Sequence, residues 1–246
     1  MADAPSNEHN SSPWSQRGFV LAAVFVGGLV LVGLVLLLVR PGGNDDDSNG
    51  QPSQNAPAPA PTRKDPNASV CGLAAGDQKV PAVPPEAQWE LVGTIAAPTE
   101  PKTVGPGIKQ GKRRLCFAHS PTGALFAAVN FVATVAVSEG DPKILRELTA
   151  EGAARDATIE KDATSGGSYD SSGGLQLAGF RLSSYSAAEA TVDLAFAVRA
   201  EGYARLPLSM RWERGDWKIV IATSQGPFAA FEGLQNLSGY VPWSGT

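Results

Sequence analysis

The chain has 246 residues, 43% of them hydrophobic, with 20 Lys and Arg against 24 Asp and Glu for a formal net charge of −4. That balance is ordinary for a globular domain with an added apolar segment, and it excludes the basic footprint of a direct nucleic-acid binder. Two cysteines and two histidines are too few for a four-ligand zinc site, so neither a metal nor a cofactor is implied.

Residues 1–17 form a short polar tail containing His9. The run 18–39, GFVLAAVFVGGLVLVGLVLLLV, has no charged side chain over its 22 residues, and at about 1.5 Å of rise per residue it spans a hydrocarbon core of roughly 30 Å. It is too long for the apolar region of a cleaved signal peptide, and no cysteine follows it closely, so the pattern predicts a single-pass signal anchor. Arg17 and Arg40 flank it symmetrically and leave the orientation open by charge. The absence of a foldable cytoplasmic part and the two cysteines in the C-terminal part place the N-terminus in the cytoplasm and the large domain outside the cell. Residues 40–86 are rich in Pro, Gly and Ala and read as a disordered linker, with Ala-Pro repeats at 56–61 favouring extended polyproline II.

From residue 87 to 246 the chain patterns as one extracytoplasmic α+β domain. Segment 88–96, QWELVGTIA, alternates as a strand; the Gly/Pro-rich and basic run TVGPGIKQGKRR follows, then a short strand through Leu115-Cys116-Phe117. Ser120 as a cap and Pro121 at the first helical position open a helix that runs apolar to Val137, with apolar residues on more than one face. Asp141-Pro142 repeats the signal for a second helix ending near Gly152, and AARDATIEKDA predicts a more polar third. The run 165–174 is a flexible loop. Four strands at hairpin spacing follow, 175–185, 189–200, 203–212 and 216–223, with Pro207 predicting an edge or a bulge in the third. The tail from Pro227 to Trp243 predicts one short helix and an aromatic-anchored end. The long apolar helix is the expected cover for the apolar face of the antiparallel sheet.

Cys116 and His119, three apart, admit three readings: a nucleophile with its base, a pair of metal ligands, or a disulfide half followed by a helix corner. Cys71 is a possible disulfide partner for Cys116, closing a loop of about 45 residues, and that accounts for the cysteine without catalysis. The stretch GPGIKQGK approximates a phosphate loop but lacks its glycine spacing and its final Ser or Thr. Lys109, Lys112, Arg113 and Arg114 form a basic patch, read as a solvated hairpin tip or as a contact for an acidic partner. No G-x-S-x-G or H-E-x-x-H is present. Alternation turns Asp193 away from the apolar face, toward solvent.

The order of helices followed by a four-strand meander behind one membrane anchor resembles the bitopic inner-membrane assembly factor of type IV secretion systems and its Gram-positive conjugation counterparts. That resemblance implies a cone-shaped, nuclear-transport-factor-2-like domain with helices packed on a curved antiparallel sheet. Trp89-Glu90-Leu91-Val92-Gly93, Gly105-Pro106-Gly107, Cys116-Phe117-Ala118, Pro121-Thr122-Gly123-Ala124-Leu125, Ala178-Gly179-Phe180 and Gly239-Tyr240-Val241-Pro242-Trp243 are similar to uncharacterised actinobacterial membrane proteins carried on integrative conjugative elements. The resemblance implies a non-enzymatic scaffold of a conjugative DNA-transfer apparatus, with envelope components as partners and self-association among the options. It carries over no catalytic residue. The rival is a ligand-binding accessory protein like those of actinobacterial lipid importers: a deep pocket lined by an acid or His119 would favour it, and a filled core would favour the scaffold.

Overall fold

A computed structural model of the chain describes residues 67–165, 174–199 and 202–245, all within a compact unit that runs from Pro61 to Thr246. The tail 1–17, the apolar span 18–39, the linker up to residue 66 and the loop 166–173 lie outside the described residues.

The first strand signal resolves into a hairpin. β1 (Gln88–Val92) pairs antiparallel with β2 (Ile95–Thr99), Val92 opposite Ile95. A two-residue turn at Gly93-Thr94 therefore breaks the single strand expected over 88–96. Gly93 takes φ +63°, and a Cβ there would stand 2.5 Å from Val137, so an alternation that runs unbroken through the glycine hides a reversal. β3 (Ile108–Gln110) and β4 (Arg113–Leu115) make a second hairpin. The strand ends one residue before Cys116, whose φ of +68° turns the chain out of the ladder, so the strand expected through Phe117 stops short.

α1 (Pro121–Ser138) starts as the sequence specifies, with the Ser120 hydroxyl accepting the Gly123 N–H at 3.0 Å. Fifteen of its eighteen residues are buried, because it packs against β5, β6 and β8 and also against the β1–β2 hairpin. Among the described helices it alone is long and apolar enough to cross a membrane, yet 83% of it is buried in the domain; it is the core helix. Asp141 caps α2 (Pro142–Leu148), which ends at Thr149 instead of Gly152 because Thr149 takes an extended conformation. α3 (Ala153–Ser165) follows.

The large sheet runs β10-β5-β6-β7-β8, with β9 also on β7, and its strand pairs are antiparallel: β5 (Gln176–Tyr185), β6 (Glu189–Val198), β7 (Gly202–Glu213), β8 (Asp216–Ile219), β9 (Glu232–Leu234) and β10 (Val241–Pro242). Val192, Leu194 and Phe196 of β6 stand opposite Leu208, Leu206 and Ala204 of β7, and they join Leu125, Phe126 and Val129 of α1 in one apolar cluster. Full burial of each such side chain contributes roughly 1.5–3 kcal/mol. The tail contains two short strands and turns where a helix was expected. Its aromatic end does anchor: Trp243 is buried with its ring 4.9 Å from Trp89 and 5.5 Å from both Phe126 and Phe180.

Residues 67–86, expected to belong to the linker, lie against the domain. Val70 N–H donates to the Gly215 carbonyl at 2.7 Å, Leu73 is buried, and the Trp243 indole N–H donates to Pro85 O at 3.1 Å. A segment too poor in large apolar residues to form a core of its own is held by main-chain bonds and by a covalent link to one that exists.

Candidate functional site

The corner where β4 meets α1 gathers the sequence's Cys116, His119 and Ser120. Cys71 and Cys116 form a disulfide, with an S–S distance of 2.05 Å, so neither is a nucleophile nor a metal ligand. Gly107 makes room for the bridge: a Cβ there would lie 2.5 Å from the Cys71 sulfur. The Gly-Pro-Gly run thus serves close packing at this corner.

The corner is centred on a residue with no signal in the sequence. Asp216, 2% exposed at the start of β8, accepts the Cys116 N–H at 2.9 Å, the Phe117 N–H at 2.9 Å and the Trp217 N–H at 3.0 Å. Lys218 donates to it at 3.3 Å. Three main-chain N–H groups and one ammonium thus converge on a single carboxylate, which fixes the left-handed Cys116 backbone.

His119 is buried and stacked on Trp212, ring centroids 4.0 Å apart and 8° from parallel, with Trp217 at its edge. Its Nε2 lies 2.5 Å from the Ala187 carbonyl. A carbonyl only accepts, so Nε2 carries the proton in this contact. Its main-chain carbonyl takes the Gln78 amide at 2.8 Å, and the Gln78 oxygen takes the Tyr185 hydroxyl at 2.8 Å. Burial raises the Tyr185 phenol above its usual pKa. Cys116 and His119 are therefore brought together as a packed corner, with the sulfur already engaged.

The four basic residues line the β3–β4 hairpin, and each has an acidic partner within the domain. Lys109 donates to Glu90 at 2.5 Å, Lys112 to Glu139 at 3.1 Å, and Arg113 to both oxygens of Glu147 at 2.5 and 2.6 Å. Arg114, nearly buried, reaches Glu90 at 2.5 Å and the buried Asn130 side chain at 2.7 Å. Asn130 in turn donates to Pro98 O and Phe126 O, both at 2.9 Å. The hydrogen bond from Lys109, and then that from Arg114, hold the Glu90 carboxyl below its usual range. Three carboxylates thus neutralise most of the patch, and its arginines brace the hairpin on α1, β1 and α2 instead of standing free.

Asp193 departs most from expectation. It faces away from the core helix, as alternation predicts, but is 2% exposed because the C-terminal segment and two arginines cover it. Its Oδ2 accepts from Arg181 at 2.7 Å and from the Tyr240 hydroxyl at 2.8 Å, and the Arg181 guanidinium stacks 4.9 Å over the Tyr240 ring. Its Oδ1 has no hydrogen-bond partner; the Arg205 Nε stands 3.8 Å away and lies 3.0 Å from Glu232 without the alignment of a hydrogen bond. Burial first, and then the bond to Asp193, raise the Tyr240 pKa above its usual value. Two guanidinium groups and the Tyr240 hydroxyl converge on Asp193, which makes it a good anchor for the tail.

Among the described residues, no three His, Cys, Asp or Glu side chains converge as metal ligands. Two open clefts stand out: one of about 410 Å³ between β7 and the 220–230 segment, the other of about 310 Å³ between the β3–β4 hairpin and α2. Neither is lined by Asp193, Asp216 or His119. In the comparisons, a family described as a domain of unknown function (DUF8175) matches residues 51–242. No curated protein and no solved structure matches the chain.

Proposed function

We propose that this chain, which belongs to the DUF8175 family of unknown function, is a membrane-anchored, non-enzymatic scaffold of a conjugative, type IV secretion-like DNA-transfer apparatus. The observation that carries the reading against a ligand-binding rival is the filled interior. α1 occupies the apolar face of the sheet with Leu125, Phe126 and Val129, all with 0% exposure, where a cone-shaped domain would otherwise enclose a ligand. The order of three helices and then a four-strand antiparallel meander supports a nuclear-transport-factor-2-like topology. The Cys71–Cys116 bridge supports an oxidising compartment, and so a C-terminal domain outside the cell with the N-terminus in the cytoplasm. In this reading the partners are other envelope components of the apparatus, and the 18–39 span holds the domain at the membrane.

The test is genetic. Deleting the gene from a donor cell that carries the mobile element is expected to abolish transfer to recipients while leaving donor growth unchanged, and the wild-type gene supplied in trans is expected to restore it. Transfer at the parental frequency in the deletion strain would sink the proposal.

A further inference from the structure

The two halves of the Cys71–Cys116 bridge differ in access. Cys116 is 0% exposed and is followed by the buried Phe117, whereas Cys71 is exposed. Little crowds Cys71 from outside. Val70 beside it is 61% exposed, and a Cβ on Gly72 would meet nothing within 4 Å. Gly107, also exposed, packs on the Cys71 sulfur and has no side chain to cover it. In the bridged protein neither sulfur is a nucleophile, but a disulfide is itself an electrophile. An incoming thiolate attacks one sulfur and expels the other, and access selects between them. Here it selects Cys71.

The sulfur that leaves has donors beside it. Cys116 Sγ accepts the Cys71 N–H at 3.1 Å and lies 3.2 Å from the Ser69 hydroxyl, two groups placed to hold the charge of a departing thiolate. The segment that carries Cys71 also has holds of its own. Val70 N–H donates to Gly215 C=O at 2.7 Å, Leu73 N–H donates to the Ser69 hydroxyl at 2.8 Å, and the Leu73 side chain is buried. Further on, Gln78 joins the His119 carbonyl to the Tyr185 hydroxyl, both at 2.8 Å. A modified Cys71 therefore stays next to Cys116, which is the condition for the bridge to close again.

We propose that Cys71 is a site of reversible thiol–disulfide exchange, attacked by an external thiolate, with Cys116 as its buried resolving cysteine. The attacking sulfur forms a bond to Cys71 Sγ, the Cys71–Cys116 bond breaks, and its electron pair leaves on Cys116 Sγ, which takes a proton from water. The external thiol is oxidised to a mixed disulfide as Cys116 is reduced. In the return step Cys116, as a thiolate, attacks Cys71 Sγ and expels the external thiolate. Exchange changes how the domain is fastened to the chain that leads in from the apolar run 18–39. The attachment is covalent at Cys116 in one state and rests on the Val70, Leu73 and Gln78 contacts in the other. This chemistry is independent of whether the domain is a scaffold.

The test treats the oxidised full chain, in detergent micelles, with reduced glutathione, quenches with acid and maps the adduct by peptide mass spectrometry. The adduct is expected on Cys71 with Cys116 as a free thiol, and removing glutathione is expected to restore the bridge. A parallel arm uses a thioredoxin whose second active-site cysteine is replaced by serine, so that its mixed disulfide persists. Reaction with that protein alone assigns the thiolate to a protein source, and reaction with glutathione alone assigns it to a small one. In single-cysteine variants given oxidised glutathione, Cys71 of Cys116→Ser is expected to react about 100-fold faster than Cys116 of Cys71→Ser, the difference between an exposed thiol and one reached only by local opening. An adduct on Cys116, equal rates in the two variants, an adduct that persists after glutathione is removed, or no adduct from either thiol until urea unfolds the protein would each overturn the site.

Discussion

Replacing Asp216 tests whether one carboxylate holds the β4–α1 corner. Asp216→Ala leaves the N–H groups of Cys116, Phe117 and Trp217 without their acceptor, in a place where the carboxylate itself is 2% exposed. Each buried N–H left unmade costs about 1–3 kcal/mol. The three share one acceptor and their costs do not simply add, so the expected loss is about 4 kcal/mol. Asp216→Asn is milder and more diagnostic. Its oxygen, in the Oδ1 place, can still accept from Phe117 and Trp217, but its amide nitrogen then faces the Cys116 N–H and the Lys218 ammonium, donor against donors. About 2–3 kcal/mol is expected for it from one orphaned buried donor and one lost charge-assisted bond. Urea unfolding of the two variants, followed by tryptophan fluorescence, measures both. With a urea m-value of about 2 kcal/mol/M the midpoint falls by about 2 M for Ala and by about 1 M for Asn. A loss below about 1 kcal/mol for Asp216→Ala, or an Asn variant less stable than the Ala variant, would refute the role given to this carboxylate.

Reducing the Cys71–Cys116 bridge, which spans 45 residues, is expected to cost about 4 kcal/mol in the chain-entropy model, read as a drop in the urea midpoint on adding reductant; an unchanged midpoint would contradict it. Gly107→Ala places a methyl group against the Cys71 sulfur and is expected to cost about 1–3 kcal/mol by overpacking, and less in the reduced protein, where the thiol can turn aside. Because the folded-state pKa of Glu90 is lowered, its pairing contributes stability above the unfolded carboxylate pKa and loses it as pH falls through the folded one. Glu90→Gln should therefore flatten the acid limb of a stability-against-pH curve, and an identical limb in both proteins would show that the pairing is inert. Tyr240, whose folded pKa is raised, contributes stability that is present below the ordinary phenol pKa and lost above it. Absorbance titration near 295 nm should show a late phase that Tyr240→Phe diminishes.

The elements that local chemistry dictates were legible. Ser120-Pro121 and Asp141-Pro142 mark helix starts because a cap oxygen and a proline act within four residues of one another, and the structure begins α1 and α2 there. The four-strand meander was legible through its period of two. Reversals hidden inside a good pattern were not. Gly93 sits in an apolar alternation that continues straight through the turn, and only the approach of Val137 from α1, distant in sequence, shows why a side chain is excluded there. The tail failed for a similar reason. Its apolar residues suit a helix locally, but Trp243 gains more by entering the cluster of Trp89, Phe126 and Phe180 than a solitary turn of helix could supply.

Buried polar centres are the least legible because nothing near them in the sequence announces their partners. Asp216 follows a turn glycine, as a solvated hairpin residue would, and its main acceptor duty is to Cys116 and Phe117, 100 and 99 residues away. Asp193 obeys alternation and faces off the core helix, yet the inference from that face to solvent fails because Tyr240, 47 residues on, closes over it. Binary patterning reports which side of a sheet a residue takes; it does not report whether a second layer arrives. Cys116 was the exception, since a chain with two cysteines leaves one partner to consider. The basic hairpin shows the converse: four adjacent cations look like a surface for an acidic partner until Glu90, Glu139 and Glu147 arrive from three other places in the chain. A charge run in the sequence is thus evidence of attraction, and the domain's own carboxylates are the first to answer it.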